Sequence, residues 1–226
     1  MQELSNFLNN MDWAGFVSLL LRVASVLFCI VIHEVSHGVA AYWLGDPTAK
    51  AQRRLSLNPI RHIDPFGALM MLLVGFGWAK PVPVNPYYFK KPKSGMALTA
   101  LAGPVSNFLL AYLMLLLIYV ILGVSGYWVS EFVWGLIDFC TLTASLSIGL
   151  GVFNLIPFPP LDGSKIVGAF LPDRIYFKMM RYEFIGTFVL MALLWSGILD
   201  GPLYAVRSWI TDGLMYLAQW PYYLLV

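Results

Sequence analysis

The sequence predicts an all-α polytopic membrane protein: about four to five transmembrane helices, a re-entrant loop and a short extended, β-like edge segment. Three observations carry this prediction. Hydrophobic residues make up 59% of the 226 positions and charged residues 12%, against roughly 45–50% and 25% in soluble domains. The apolar residues are grouped into long runs. The basic residues are grouped into two blocks between those runs.

The runs set the elements in order. The first, about 13–44, would rise roughly 48 Å as a helix, more than the roughly 30 Å hydrocarbon core, and so tilts or projects. Gly45, Asp46 and Pro47 end it. The second, Pro65 to Ala79, is short for a span and carries Gly67, Gly75 and Gly77. Lys50, Arg53, Arg54 and Arg61 precede it; Lys80, Lys90, Lys91 and Lys93 follow it. A re-entrant loop keeps both clusters on one side of the bilayer, which a crossing would not. Prolines 81, 83 and 86 then exclude helix over Lys80 to Phe89 and favour an extended segment, either an edge able to pair with an unwound peptide as an added strand or a rigid cytoplasmic turn.

Further spans are expected at about 96–122, 131–156 and 183–199. The segment 203–226 is crowded by Trp209, Tyr216, Trp220, Tyr222 and Tyr223, which suits a helix at the lipid–water interface or a further crossing. The second basic block, Lys165 to Arg181, lies before the 183–199 span. Two basic blocks on the cytoplasmic side place the N-terminus outside. The chain reads as one membrane-embedded domain over 1–226, with no internal repeat, and its net charge of +2 offers nothing to nucleic acid. Cys29 and Cys140 both fall in or beside apolar runs and read as buried thiols, not a disulfide.

Chemistry is concentrated in the first run, at His33-Glu34-Val35-Ser36-His37. Histidines at i and i+4 share a helical face, so two imidazoles can converge on one zinc ion. Glu34 is placed to take a proton from a metal-activated water. Three ionisable residues within five positions of a spanning helix are costly unless an ion compensates them. A third ligand is needed. His62, among basic loop residues, reads as a solvated side chain. Asp162 is the better candidate: it follows Pro157, Pro159 and Pro160, which break a membrane helix where a cavity can form. It is either a ligand or the cap of the next short helix.

Two stretches, His33-Glu-Val-Ser-His37-Gly38 and Asn154-Leu-Ile-Pro157-Phe-Pro159-Pro-Leu-Asp162-Gly163, resemble the site-2 protease family of intramembrane zinc metalloproteases. Gly45-Asp46-Pro47-Thr48-Ala49-Lys50, Gly75-Phe-Gly77-Trp-Ala-Lys80-Pro81-Val-Pro83-Val-Asn85-Pro86 and Ala102-Gly103-Pro104-Val105-Ser106-Asn107 are similar to a compact prokaryotic branch of it, without PDZ or CBS modules. The resemblance covers about residues 30–165. It implies that His33, His37 and Asp162 are ligands of one Zn²⁺, that Glu34 is the general base, and that Asn154 positions the substrate carbonyl or stabilises its oxyanion. Asn107 occupies the family's Gly-Pro-x-x-Asn position, with a packing or backbone-bonding role as open as a catalytic one.

The function expected is a zinc metalloendopeptidase acting on membrane proteins or membrane peptides, in the cell membrane, with its active site toward the cytoplasm. The competing expectations are a metal-binding membrane protein without protease activity, such as a transporter or pseudoprotease, and a scaffold. A transporter has no specific need of Glu34 between the histidines.

Overall fold

The computed structural model describes residues 13–74, 79–125 and 130–225. Among them are ten α-helices and no strand. The long ones are α1 (Trp13–Trp43), α4 (Pro92–Ser125), α5 (Glu131–Asn154) and α9 (Asp200–Ala218). The short ones are α2 (Thr48–Ala51), α3 (Pro65–Val74), α6 (Asp162–Gly168), α7 (Asp173–Arg181), α8 (Glu183–Trp195) and α10 (Trp220–Leu225). Three of them (α1, α4 and α5) are long and apolar enough to cross a membrane; α8 with α9 and α10 forms a fourth candidate, bent by 86°.

The core is a seam where α4 meets α1 and α5. Along α1 the buried positions Ser25, Cys29, His33, His37 and Ala41 recur every four residues. Along α4 the buried positions Gly95, Thr99, Gly103, Asn107, Ala111 and Leu115 do the same. Stripes of small residues at that spacing let two helices approach closely, the usual device where lipid removes any hydrophobic drive to associate. Cross-links follow the seam: Thr143 Oγ1 donates to Ser25 Oγ at 3.0 Å and Ser147 Oγ to the Asn107 carbonyl at 2.9 Å. Further along, Ala111, Leu115, Ala144 and Ile148 form an apolar cluster, against which Leu203, Ile210 and Leu214 of α9 pack. The opposite faces, such as Leu19, Leu20 and Val23 of α1, are exposed and suit lipid. Both cysteines are free and buried.

The sequence expectations for 65–90 need correction. The re-entrant loop expected over 65–79 is not shown: residues 65–74 are a regular helix, α3, started by Asp64 Oδ1, which accepts the Gly67 N–H at 2.8 Å. No reversal is seen within it before residue 75, and Gly75 to Trp78 lie outside the described residues. The extended, β-like edge does not form a strand either: Ile63 and Ala79 make only an isolated antiparallel bridge. The reason is chemical. Pro81 and Pro83 have no N–H to give a ladder, and side chains take the remaining polar groups. The Arg54 guanidinium donates to the Lys80 and Pro81 carbonyls at 2.6 and 3.2 Å, Glu34 Oε2 accepts from Val82 N–H at 2.8 Å, and Asp46 Oδ2 accepts from Asn85 N–H at 2.7 Å.

Candidate metal centre

His33 and His37 reach the interior because they lie on the buried stripe of α1. Asp162 reaches them from the first turn of α6, after the break at Leu155–Leu161, in which the Pro159–Pro160 peptide is cis. The N-cap of α6 is Leu161, so Asp162 is not its cap residue. Instead, Asp162 Oδ2 lies 3.2 Å from His33 Nε2 and 3.1 Å from His37 Nε2. These three residues, two on α1 and one 129 positions beyond His33, are a group able to hold one metal ion.

The protonation pattern favours a cation there. His37 Nδ1 lies 2.7 Å from the Thr99 carbonyl. A carbonyl only accepts, so Nδ1 carries the proton, and Nε2 of the neutral ring presents a lone pair. That lone pair faces a carboxylate oxygen at 3.1 Å. Two acceptors so placed repel unless a proton or metal ion lies between them. Ligand atoms 2.0–2.2 Å from a tetrahedral zinc stand roughly 3.4 Å apart, close to both observed separations. Two imidazoles and a carboxylate are also a donor set that zinc accepts. Burial alone would raise the Asp162 pKa; the neighbouring histidines and Lys165 outweigh it and hold the carboxyl well below the usual carboxylate range. Lys165 Nζ is 3.8 Å from Asp162 Oδ1.

Two glycines make the convergence possible. A Cβ at Gly103 would lie 2.5 Å from His37 Cε1 and Nε2 and 2.6 Å from His33 Cε1. A Cβ at Gly163 would lie 2.3 Å from the Leu155 carbonyl oxygen and 2.4 Å from that of Ile156. Only glycine lets α4 touch both rings and lets α6 start against the helix break.

Around the three candidate ligands lies a cavity of about 350 Å³ whose walls include Glu34, Val82, Asn154 and Lys165. Glu34 therefore shares the chamber with the candidate ligands, its carboxylate held by Val82 N–H. Asn154 also faces it: Nδ2 donates one hydrogen to the Leu150 carbonyl at 2.9 Å and has a second to offer. His62 is not in the group. Contrary to the solvated role expected, it is 1% exposed, with Nε2 2.7 Å from the Ser56 carbonyl, because the loop closes a 3₁₀ turn over it. Asn107 is fully buried, and among the described residues neither amide atom has a hydrogen-bond partner.

Three contributors escaped the sequence reading. Thr99 acts through its backbone carbonyl, which no residue type signals. Arg54, buried among loop residues, was counted only as part of a basic block. Gly103 did carry a signal, since a glycine inside a helix costs about 1 kcal/mol against alanine and needs a packing reason.

The profile of Peptidase family M50 matches residues 21–196. "Putative zinc metalloprotease YwhC" of Bacillus subtilis is 41% identical over 171 residues, covering 76% of this chain and 78% of that protein. "Putative zinc metalloprotease Rip2" is 24% identical in Mycolicibacterium smegmatis, covering 85% of this chain and 73% of that protein. The Mycobacterium tuberculosis protein of that name is 25% identical, covering 84% and 72%. No solved structure matches the chain.

Proposed function

Because the chain belongs to peptidase family M50, the site-2 protease family, we propose that it hydrolyses peptide bonds in or beside membrane-spanning segments of other proteins. In this reading it is an endopeptidase with one zinc per chain, held by His33, His37 and Asp162. The observation that carries it is the His37 Nε2 lone pair aimed at the Asp162 carboxylate 3.1 Å away, with Glu34 in the same chamber.

When bound, zinc supplies Lewis-acid polarisation of the scissile carbonyl and an acidified water. The chain's own groups do the rest. Glu34 takes the proton of the attacking water and delivers it to the departing amine, the general acid–base role. Val82 N–H fixes the Glu34 carboxylate by donating to Oε2, which leaves Oε1 for that proton. Thr99 holds the His37 ring in the tautomer that presents Nε2 inward. The second Nδ2 hydrogen of Asn154 is available to the substrate carbonyl as negative charge develops there.

The basic residues around the site support a cytoplasmic opening for water and a multi-pass course through the cell membrane. A helical substrate must unwind to enter, because its peptide bonds are otherwise held in intrahelical hydrogen bonds. The lipid bilayer and membrane proteins or peptides are thus its partners.

The test is Glu34→Gln. Zinc stoichiometry, measured on the purified protein, is expected to match the unaltered chain while cleavage of a membrane-embedded reporter is lost. Cleavage that persists would remove Glu34 from the proton-transfer role. Zinc bound with no cleavage by the unaltered chain would favour a non-proteolytic metal protein.

A further inference from the structure

Two cationic side chains lie outside the two basic blocks, Arg22 and Arg207, and their surroundings differ. Arg22 of α1 lines a cavity that also contains Glu131 and Asp138. Arg207 of α9 lines a cavity of about 310 Å³ with no acidic wall residue. Among the described residues no carboxylate lies within 4.0 Å of Arg207. Its guanidinium donates to one neutral partner, Ser145 Oγ of α5. Arg207 is exposed beside apolar residues such as Val26, Leu146 and Leu150; at such a place on a spanning bundle a guanidinium faces lipid, where lacking a counter-charge is costly and marks a site that receives one.

That cavity adjoins the metal centre through a second one. This second cavity, of about 320 Å³, shares His33, Glu34 and Asn154 with the chamber of the metal centre. It also shares Ile30, Leu150 and Phe153 with the cavity of Arg207. The three lie in series along α1 and α5, with Thr187, Leu190 and Met191 of α8 also walling the middle one; as a groove the series is polar at the metal end, apolar along its length and cationic at the far end. Ser145 precedes Asn154 by nine positions, which is about 14 Å along α5.

We propose that this groove receives the apolar stretch of the substrate on the membrane side of the cleaved bond, and that Arg207 binds an aspartate or glutamate on that stretch. Resting on the proteolytic reading above, it adds a substrate class: a membrane segment with one acidic residue at a set distance. An extended chain covers about 14 Å in roughly four residues and a helix in roughly nine. The acidic residue therefore lies between those limits, set by how far the substrate has unwound. Ser145 orients the guanidinium, and a carboxylate accepts two of its remaining N–H groups as a fork.

The full chain, in vesicles of neutral lipid, is given single-span substrates that differ only in carrying Glu or Gln at each position from the third to the tenth on the membrane side of the cut. At one register the Glu substrate is expected to exceed its Gln counterpart at least tenfold in kcat/KM. Arg207→Gln brings that ratio to about one, and Arg207→Glu moves the preference to a Lys substrate at the same register. No register with a preference, or a preference that survives Arg207→Gln, overturns the proposal while leaving proteolysis itself in place. If nothing is cut, the proteolytic reading fails, and binding to the Glu34→Gln chain decides the rest: equal affinity for Glu and Gln peptides overturns the role of Arg207. Repeating the series with phosphatidylglycerol vesicles separates a headgroup phosphate. An Arg207→Gln effect that depends on the anionic lipid and is equal for Glu and Gln substrates also overturns the proposal.

Discussion

Gly103→Ala is the sharpest probe of the metal centre. In an ordinary helix the change would stabilise by about 1 kcal/mol, because alanine is the better helix former. Here the new methyl would stand 2.5 Å from two atoms of His37 and 2.6 Å from one of His33. Carbon atoms settle about 3.5–4.0 Å apart, so the rings or the α4 backbone must retreat by about 1 Å. Neither ring is free to do so. His37 is tied to the Thr99 carbonyl at 2.7 Å and both rings face Asp162. Metal–ligand distances tolerate only about 0.2 Å. The loss should reach at least that of an outer-shell substitution, about 10–100-fold in zinc affinity or roughly 1.4–2.8 kcal/mol. Chelator competition on the detergent-purified protein measures it. Gly149→Ala on α5, where a Cβ meets nothing within 4 Å, is the control and is expected to leave affinity unchanged. Wild-type affinity in Gly103→Ala would show that the rings do not lie against α4 as described.

Other substitutions test the surroundings. Gly163→Ala forces a Cβ onto two backbone oxygens and is expected to destabilise the fold by several kcal/mol, the range of severe overpacking; a near-native thermal midpoint would contradict the close approach of α6 to the helix break. Asp46→Asn replaces a carboxylate that accepts from Thr48 N–H, Thr48 Oγ1 and Asn85 N–H. It turns an amide donor toward at least one of these donors and should cost about 1.5–3 kcal/mol, read by thermal unfolding. Chelation should lower the melting temperature of the unaltered chain, because zinc at 100 times its Kd stabilises by about 2.7 kcal/mol. Alanine at His33, His37 or Asp162 should abolish that shift, and a surviving shift would place the metal elsewhere.

The parts legible in the sequence were those fixed by local chemistry. The spacing of His33 and His37 requires only that the segment be helical, and long uncharged runs leave few alternatives to helix. Asp162 was legible as a candidate because prolines mark a helix break, but ligand and cap differ only in where one carboxylate points, and tertiary packing decides that. The segment after residue 79 was misread because its prolines announce extended backbone and not what bonds to it. Arg54, Glu34 and Asp46 come from 26 to 48 positions away and replace a strand partner. His62 was misjudged for a related reason: a histidine among arginines looks solvated until the loop is seen to close over it. The bend between α8 and α9 follows Gly197, which takes φ +72°; a single left-handed glycine sets a direction that hydropathy does not encode.

The matched four-residue stripes on α1 and α4 fix how these helices answer to change. Exchanging Leu20 or Leu109 for another apolar residue alters an exposed position, whereas lengthening Ser25 or Ala111, both fully buried, pushes neighbouring helices apart. A saturation library of either helix should therefore show intolerance recurring with a period of four. Among apolar replacements the most damaging on that beat would be leucine and phenylalanine, the residues that make a segment more oily and better suited to insertion.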